Sequence, residues 1–184
     1  MTPNKDFLPQ YTGYRQLYSF RKATAIYQIT YYFVEKYLSK SDRTVDQMLQ
    51  AARSGKQNIA EGNAAGPTSK ETEIKLTNVA KASLQELLVD YEDFLVTRRL
   101  NKWEEENPKF IQAKEICKTH NDADFYIPYL EKWDAETIAN ICIILINQTD
   151  FLLFRLIEKM KADFIHSGGI REQMSNARRK QRGY

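Results

Sequence analysis

Glycine and proline are scarce in this chain, seven and five among 184 residues. That is too little for a turn-rich β protein or a long flexible linker, so the composition points to helices. Cysteine is nearly missing. Cys117 and Cys142 stand far apart, and no charged n-region with an apolar h-region opens the chain, so a reducing cytoplasm is the expected compartment. Long apolar runs are lacking too: the longest strongly apolar one, Ile141 to Ile146, covers six residues, against the ~20 needed to span a bilayer as a helix. No membrane segment is expected.

Histidine occurs only twice, at His120 and His166, which removes most metal and triad chemistry. A ferritin-like di-metal bundle needs Glu-x-x-His on two helices plus two further inward glutamates. Here Asp163 and His166 alone have i, i+3 spacing, and Cys117 with His120 supplies two of the four ligands a structural zinc requires. There is no Gly-x-Ser-x-Gly elbow. Gly66-Pro67-Thr68-Ser69-Lys70 has neither P-loop spacing nor a strand before it, although its amides open a helix where an anion can settle. The expectation is a protein with no catalytic residues, no metal and no cofactor: not an enzyme.

What is present is a soluble globular composition, 42% hydrophobic and 28% charged, of a length that fits one domain over residues 1–184. Net charge is +3, yet residues 170–184 hold Arg171, Arg178, Arg179, Lys180 and Arg182 against Glu172, a surplus of +4 that leaves the body at −1. A near-neutral body with a basic end fits either an anionic partner reached by the tail or a solvated terminus. The segment from Arg171 onward is expected to be helical when bound and disordered when free.

Apolar periodicity predicts four long helices. The first runs from Tyr14 to Leu38, with Leu17, Phe20, Thr24, Tyr27, Tyr31, Val34 and Leu38 as an a/d seam and a second stripe through Ile26, Phe33 and Tyr37. Thr44 and Gln47 read as a capping box that opens the second, 44–65, whose face of Val45, Met48, Ala52, Gly55, Ile59 and Gly62 is mostly small. Gly55 inside a helix implies close approach of another backbone, expected at Ala80 and Ser83. Gly66 and Pro67 stop this helix, and Thr68 with Glu71 starts the third, 69–98, making an antiparallel hairpin. Glu71/Lys75 and Lys70/Glu73 give charge pairing on its wet side.

Residues 101–133 are too many for a structureless loop, so a short helix is expected near Phe110 to Thr119, punctuated by Pro108 and Pro128. The fourth long helix, 134–167, takes Asp134 as N-cap and Gly168 with Gly169 as C-cap. Ile143, Ile144, Ile146, Phe151 and Phe154 make it apolar on more than one side, so it either packs the 101–133 insertion or forms a subunit contact. The fold class is therefore all-α: an antiparallel up-and-down four-helix bundle with a helical insertion before helix 4 and a basic C-terminal segment.

One run of residues ties this pattern to a family. Asn58-Ile59-Ala60-Glu61-Gly62, then Ser69-Lys70-Glu71 and Ser83-Leu84-Gln85-Glu86-Leu87, with Tyr14, Arg15, Leu17, Lys22, Ala23 and Tyr27 on the first helix, resembles the four helix bundle protein family. That family includes proteins encoded in intervening sequences of bacterial 23S rRNA genes and the accessory protein of diversity-generating retroelements. The longer four helix bundle suffix domain branch also matches beyond Arg99. The resemblance implies a ring-like homo-oligomer such as a pentamer that contacts nucleic acid and a reverse transcriptase.

Read from the residues alone, Asn58, Glu61, Ser83 and Glu86 form either an interhelical hydrogen-bond network that fixes register or a carboxylate site, with the network favoured because buried polar groups require partners. Cations at Arg15, Arg21, Lys22, Arg53, Lys56, Arg178, Arg179, Lys180 and Arg182 can contact RNA or DNA phosphates without reading bases. The functional expectation is a self-associating, nucleic-acid-binding accessory or scaffold protein. The alternative is a protein-interaction module that uses the apolar surface of the fourth long helix.

Overall fold

The computed structural model describes residues 13–167 together with Glu172, Met174, Ser175, Arg178 and Arg179. The described chain is all-helical. A 3-10 turn at Tyr14–Gln16 precedes α1 (Tyr18–Tyr37), α2 (Arg43–Ala65), α3 (Lys70–Thr97), α4 (Pro108–Thr119), α5 (Ala123–Leu130) and α6 (Ala135–Ser167), and no strand occurs among the described residues. The Gly168 and Gly169 cap expected for α6 lies outside them.

Caps explain most boundaries and correct three of them. The first long helix begins at Tyr18 rather than Tyr14, because Leu17 is extended at φ −69° and ψ 125° and separates it from the 3-10 turn. Asp42, not Thr44, caps α2: its Oδ1 accepts from the Thr44 amide at 2.9 Å. Ser69, not Thr68, caps α3, with its Oγ accepting from the Thr72 amide at 3.2 Å. Asp134 does open α6, accepting from the Thr137 amide at 2.8 Å. Past the end of α3, Arg99 takes the left-handed conformation at φ 56° where glycine is usual, and Leu100 N–H reaches back to the Leu95 carbonyl at 2.9 Å.

Two pairs of long helices run antiparallel, α2 with α3 and α1 with α6. A Cβ built on Gly55 would lie 2.7 Å from Leu84 Cδ2 and 3.6 Å from the Ala80 carbonyl, and one on Gly62 would lie 3.2 Å from the Glu73 carbonyl. Position numbers that fall along α2 as they rise along α3 set these two helices side by side in opposite senses. The close approach to Gly55 therefore comes mainly from the Leu84 side chain, while Ser83 instead bonds to Ser54 at 2.9 Å. Lys81 and Gln85 meet Asp150 at 2.8 and 3.0 Å, which places α3 against α6. Lys22 to Gln148 and Tyr37 to the Trp133 carbonyl relate α1 to α6 in the same antiparallel sense.

The α1 core face is rotated from the expected seam. Ala23, Ala25, Ile26, Ile29, Thr30, Phe33 and Val34 are buried, whereas Tyr31 is 47% exposed and Tyr27 half-buried. Small alanines and a hydrogen-bonded threonine complete the buried stripe that Ile26 and Phe33 began, and the tyrosines at its margin keep their hydroxyls near water. Tyr91 of α3 is fully buried and donates to Thr30 Oγ1 at 2.9 Å. The Lys70–Glu73 pair forms at 2.6 Å, but the Glu73 side chain is only 8% exposed and lies over Gly66, not on a wet face.

The insertion carries two helices where one was expected. Pro108 sits at the start of α4, where its missing N–H costs nothing. Pro128 lies inside α5, a two-turn helix that loses only the bond to the Asp124 carbonyl. The insertion closes over the long helices, α4 contacting α6 and α5 contacting α1. Every residue from Ile138 to Ile146 is buried between α6 and the helices it contacts, α1, α3 and α4, so the surplus apolar surface of α6 is largely internal. By length and composition α6 could cross a membrane, with mean hydropathy 1.6 over its most apolar window, but 61% of that window is buried inside the protein, as in a core helix.

Both cysteines are free and buried. Burial pushes the Cys142 thiol up to about 12 and Cys117 to about 11, from an ordinary 9.0. In the unfolded chain a thiol loses its proton near its ordinary value, so between that value and its raised folded value the native state binds more protons and stability falls with rising pH. Each thiol is expected to remove up to ~1.4 kcal/mol per pH unit there. Urea unfolding from about pH 8 to about pH 10.5 should show this slope, reduced in Cys142→Ala; an unchanged slope would contradict it.

Candidate nucleic-acid interface

The cations expected to meet phosphate divide into three groups. Two on α1 are committed elsewhere. Arg21 clamps Asp122 at the start of α5 through Nε to Oδ1 at 2.5 Å and a second bond from its Nη2, and this pairing holds the Asp122 carboxyl below its usual range. Asp122 consequently makes no capping bond to α5. Lys22 is 3% exposed and donates to the Cys117 carbonyl and, at 2.9 Å, to Gln148 Oε1. It is therefore not a surface cation, a correction to its expected role. The sequence offered little warning, because Lys22 is flanked by Arg21 in an otherwise ordinary basic pair.

Three others share the α1–α2 side. Arg15 is exposed beside the Tyr14 ring, its guanidinium carbon 5.9 Å from the ring centre. Arg53 is exposed on α2, and Lys56 places its ammonium 4.2 Å from the centre of the Tyr27 ring. Neither Arg53 nor Lys56 forms an ion pair among the described residues. Tyr31 lies one turn beyond Tyr27, half-exposed, and the nearby Glu35 carboxylate raises its pKa above the ordinary value. Gly55 lets α2 press on α3, which leaves Arg53 and Lys56 on the outer side. In the tail, Arg178 and Arg179 are helical and exposed, and Lys180 and Arg182 lie outside the described residues.

The signature run has a packing role. Asn58 Nδ2 donates to the Ser54 carbonyl at 2.9 Å and to Ser54 Oγ at 3.1 Å, and Ser54 Oγ meets Ser83 Oγ. This network joins α2 to α3, but Glu61 and Glu86 take no part in it; both are exposed, and Glu86 instead borders a polar groove of about 430 Å³ with Asp46, Gln47 and Gln50. Among the described residues no three His, Cys, Asp or Glu side chains gather where they could hold a metal. His120 stacks on Phe125 with ring centres 3.7 Å apart, and its Nδ1 meets Thr119 Oγ1 at 2.9 Å.

Sequence reasoning missed a groove of about 710 Å³ between the start of α1, the end of α4 and the middle of α6. Tyr18 and Phe151, 58% and 59% exposed, line it with Leu152, Lys114 and Lys118, and Lys22 lies at its floor. The four apolar and basic residues on α4 and α6 come from segments far apart in sequence. Only the closure of the insertion brings them together.

Comparison of the chain with protein-family models, curated proteins and solved structures finds no match.

Proposed function

We propose that α1, α2, α3 and α6 constitute an antiparallel up-and-down four-helix bundle, and that the protein is a non-enzymatic, self-associating accessory or scaffold that binds RNA or DNA backbone through its α1–α2 face. The observation carrying this reading is the pair Arg53 and Lys56, neither in an ion pair among the described residues, with the Lys56 ammonium over the Tyr27 ring. Such a surface offers point charges to phosphates and aromatic edges to bases. The resemblance to the four helix bundle protein family supports the same reading and adds a homo-oligomer, a pentamer by analogy, with a reverse transcriptase as one partner class. Exposed Arg15, Arg178 and Arg179 would extend the contact.

The test is binding of purified protein to labelled structured RNA and duplex DNA across a salt series, with light scattering on the same sample. Affinity should fall steeply with salt, because each neutralised phosphate releases counterions. Arg53→Glu combined with Lys56→Glu reverses one exposed and one half-buried charge and should weaken binding at least ~10-fold while the assembly mass stays the same. Undiminished binding by that variant would reject this face.

A second reading, a protein-contact module on α6, is supported by exposed Phe151 and Phe154. Its surface is not the isoleucine run: Ile144 is 3% exposed, so Ile144→Asp would disrupt the core and report nothing about assembly.

A further inference from the structure

Lys22 is the only buried basic side chain among the described residues. A cation taken out of water needs either an opposite charge or enough acceptors to replace its hydration. Two of its three N–H groups reach neutral oxygens, those of Cys117 and Gln148, and no carboxylate pairs with it among the described residues. Asp122, at the start of α5, is taken by the adjacent Arg21, and Glu115 lies beside Lys118. Burial accordingly pushes the Lys22 pKa below its ordinary value.

This under-compensated ammonium forms the floor of the groove described above, and that groove is otherwise built for an apolar body. Tyr18, Phe151 and Leu152 supply its apolar walls, Lys114 and Lys118 add positive charge, and the one acid, Glu115, lies 3.8 Å from Lys118. Its volume of about 710 Å³ falls within the ~300–1,000 Å³ usual for small-molecule sites. Two large exposed aromatic rings beside a buried cation are a poor arrangement in water alone. They become complementary when a ligand brings both an apolar surface and a negative charge.

We propose that this groove binds a small amphipathic anion, with its aromatic or aliphatic body against Tyr18, Phe151 and Leu152 and its carboxylate or phosphate head on Lys22. An ammonium is a compact point charge and accepts either head, unlike the planar fork of arginine. None of the lining residues lies on α2, so the site stands or falls separately from the nucleic-acid reading.

The test uses two fluorescent probes with the same aromatic body: 1-anilinonaphthalene-8-sulfonate, which carries one negative charge, and N-phenyl-1-naphthylamine, which carries none. The full chain should bind one equivalent of the sulfonate, at least ~10-fold more tightly than the neutral probe, as expected for a charge meeting a buried partner. Lys22→Met keeps the length and burial of the side chain, and should bring sulfonate affinity down to that of the neutral probe while leaving the neutral probe unchanged. Phe151→Ser alters an exposed position and should weaken both probes. Decanoate or decyl phosphate should displace the sulfonate, the stronger competitor identifying the preferred head. Equal affinity for the two probes, sulfonate binding that survives Lys22→Met, binding indifferent to Phe151→Ser, or no displacement by either decyl anion would each overturn the proposal. If Lys22→Met fails to fold, the two-probe comparison, the Phe151 variant and the competition decide the matter on their own.

Discussion

Phe33→Ala is expected to lower the free energy of unfolding by ~3 to 5 kcal/mol, the range for removing a large aromatic side chain from a packed core. Phe33 is fully buried in α1, and its ring meets Tyr91 at 5.0 Å and Phe94 at 4.7 Å between centres, with Tyr37 at 5.4 Å. Alanine would leave a cavity that neither the buried Tyr91, tied by its hydroxyl to Thr30, nor the helix backbone can collapse to fill. The loss is large against the ~5–15 kcal/mol that holds a typical domain together. Tyr31→Ala, two residues away and 47% exposed, should cost less than ~1 kcal/mol. Urea unfolding of both variants measures the rotation of α1 directly. Equal losses would contradict the burial of Phe33 and the exposure of Tyr31.

That rotation shows what periodicity can and cannot convey. Counting apolar residues on α1 places Leu17, Phe20, Tyr27 and Tyr31 on the seam because their side chains are large, yet tyrosine is content at a boundary with its ring covered and its hydroxyl wet. The buried stripe instead contains Ala23, Ala25 and Thr30, residues that carry weak hydrophobic signal and reveal themselves only once a partner helix is known. On α2 the reading was sharper. Met48, Ala52, Gly55, Ile59 and Gly62 are buried as the small-residue face required, because a glycine within a helix has few explanations other than close approach.

The candidate binding surfaces were legible to very different degrees. Arg53 and Lys56 could be placed on one outer patch from their spacing about Gly55, a local property of one helix. Lys22 could not be placed, since its burial depends on the Cys117 carbonyl and Gln148, 95 and 126 residues away in sequence. The 101–133 segment was recognisable as structured from its length, but α5 was hidden by Pro128, which ordinarily argues against a helix and here costs a single hydrogen bond. Nothing local revealed its docking on the long helices, α4 on α6 and α5 on α1, or that Phe151 and Phe154 stay exposed on α6 while Ile143 and Ile144 are buried.

Asn140 is where that docking is secured, and Asn140→Leu should be the costliest single change in the insertion's attachment. The residue sits 2% exposed within the most apolar part of α6. Its Oδ1 accepts from the Trp103 amide at 2.8 Å, and its Nδ2 donates to the Asn101 and Glu136 carbonyls, both at 2.8 Å. Leucine matches the apolar surroundings but leaves the Trp103 N–H without its acceptor, and Trp103 is itself only 6% exposed. An orphaned buried donor costs ~1–3 kcal/mol on its own, and the second tether lost at Asn101 brings the expected destabilisation to ~2–4 kcal/mol. Asn140→Asp does not rescue it, because a carboxylate keeps the acceptor for Trp103 but turns lone pairs toward two carbonyls. Glu136→Ala, by contrast, removes an exposed bond from the Asn101 amide at 3.0 Å and a half-buried one from the Trp103 indole at 3.4 Å, and water can replace much of what is lost, so ~1 kcal/mol is expected. Hydrogen exchange resolves the two. Asn140→Leu should speed exchange at the Trp103 amide well beyond any change in the α2–α3 hairpin, and protection there that equals wild type would show that packing of α4 against α6, not this amide, holds the insertion in place.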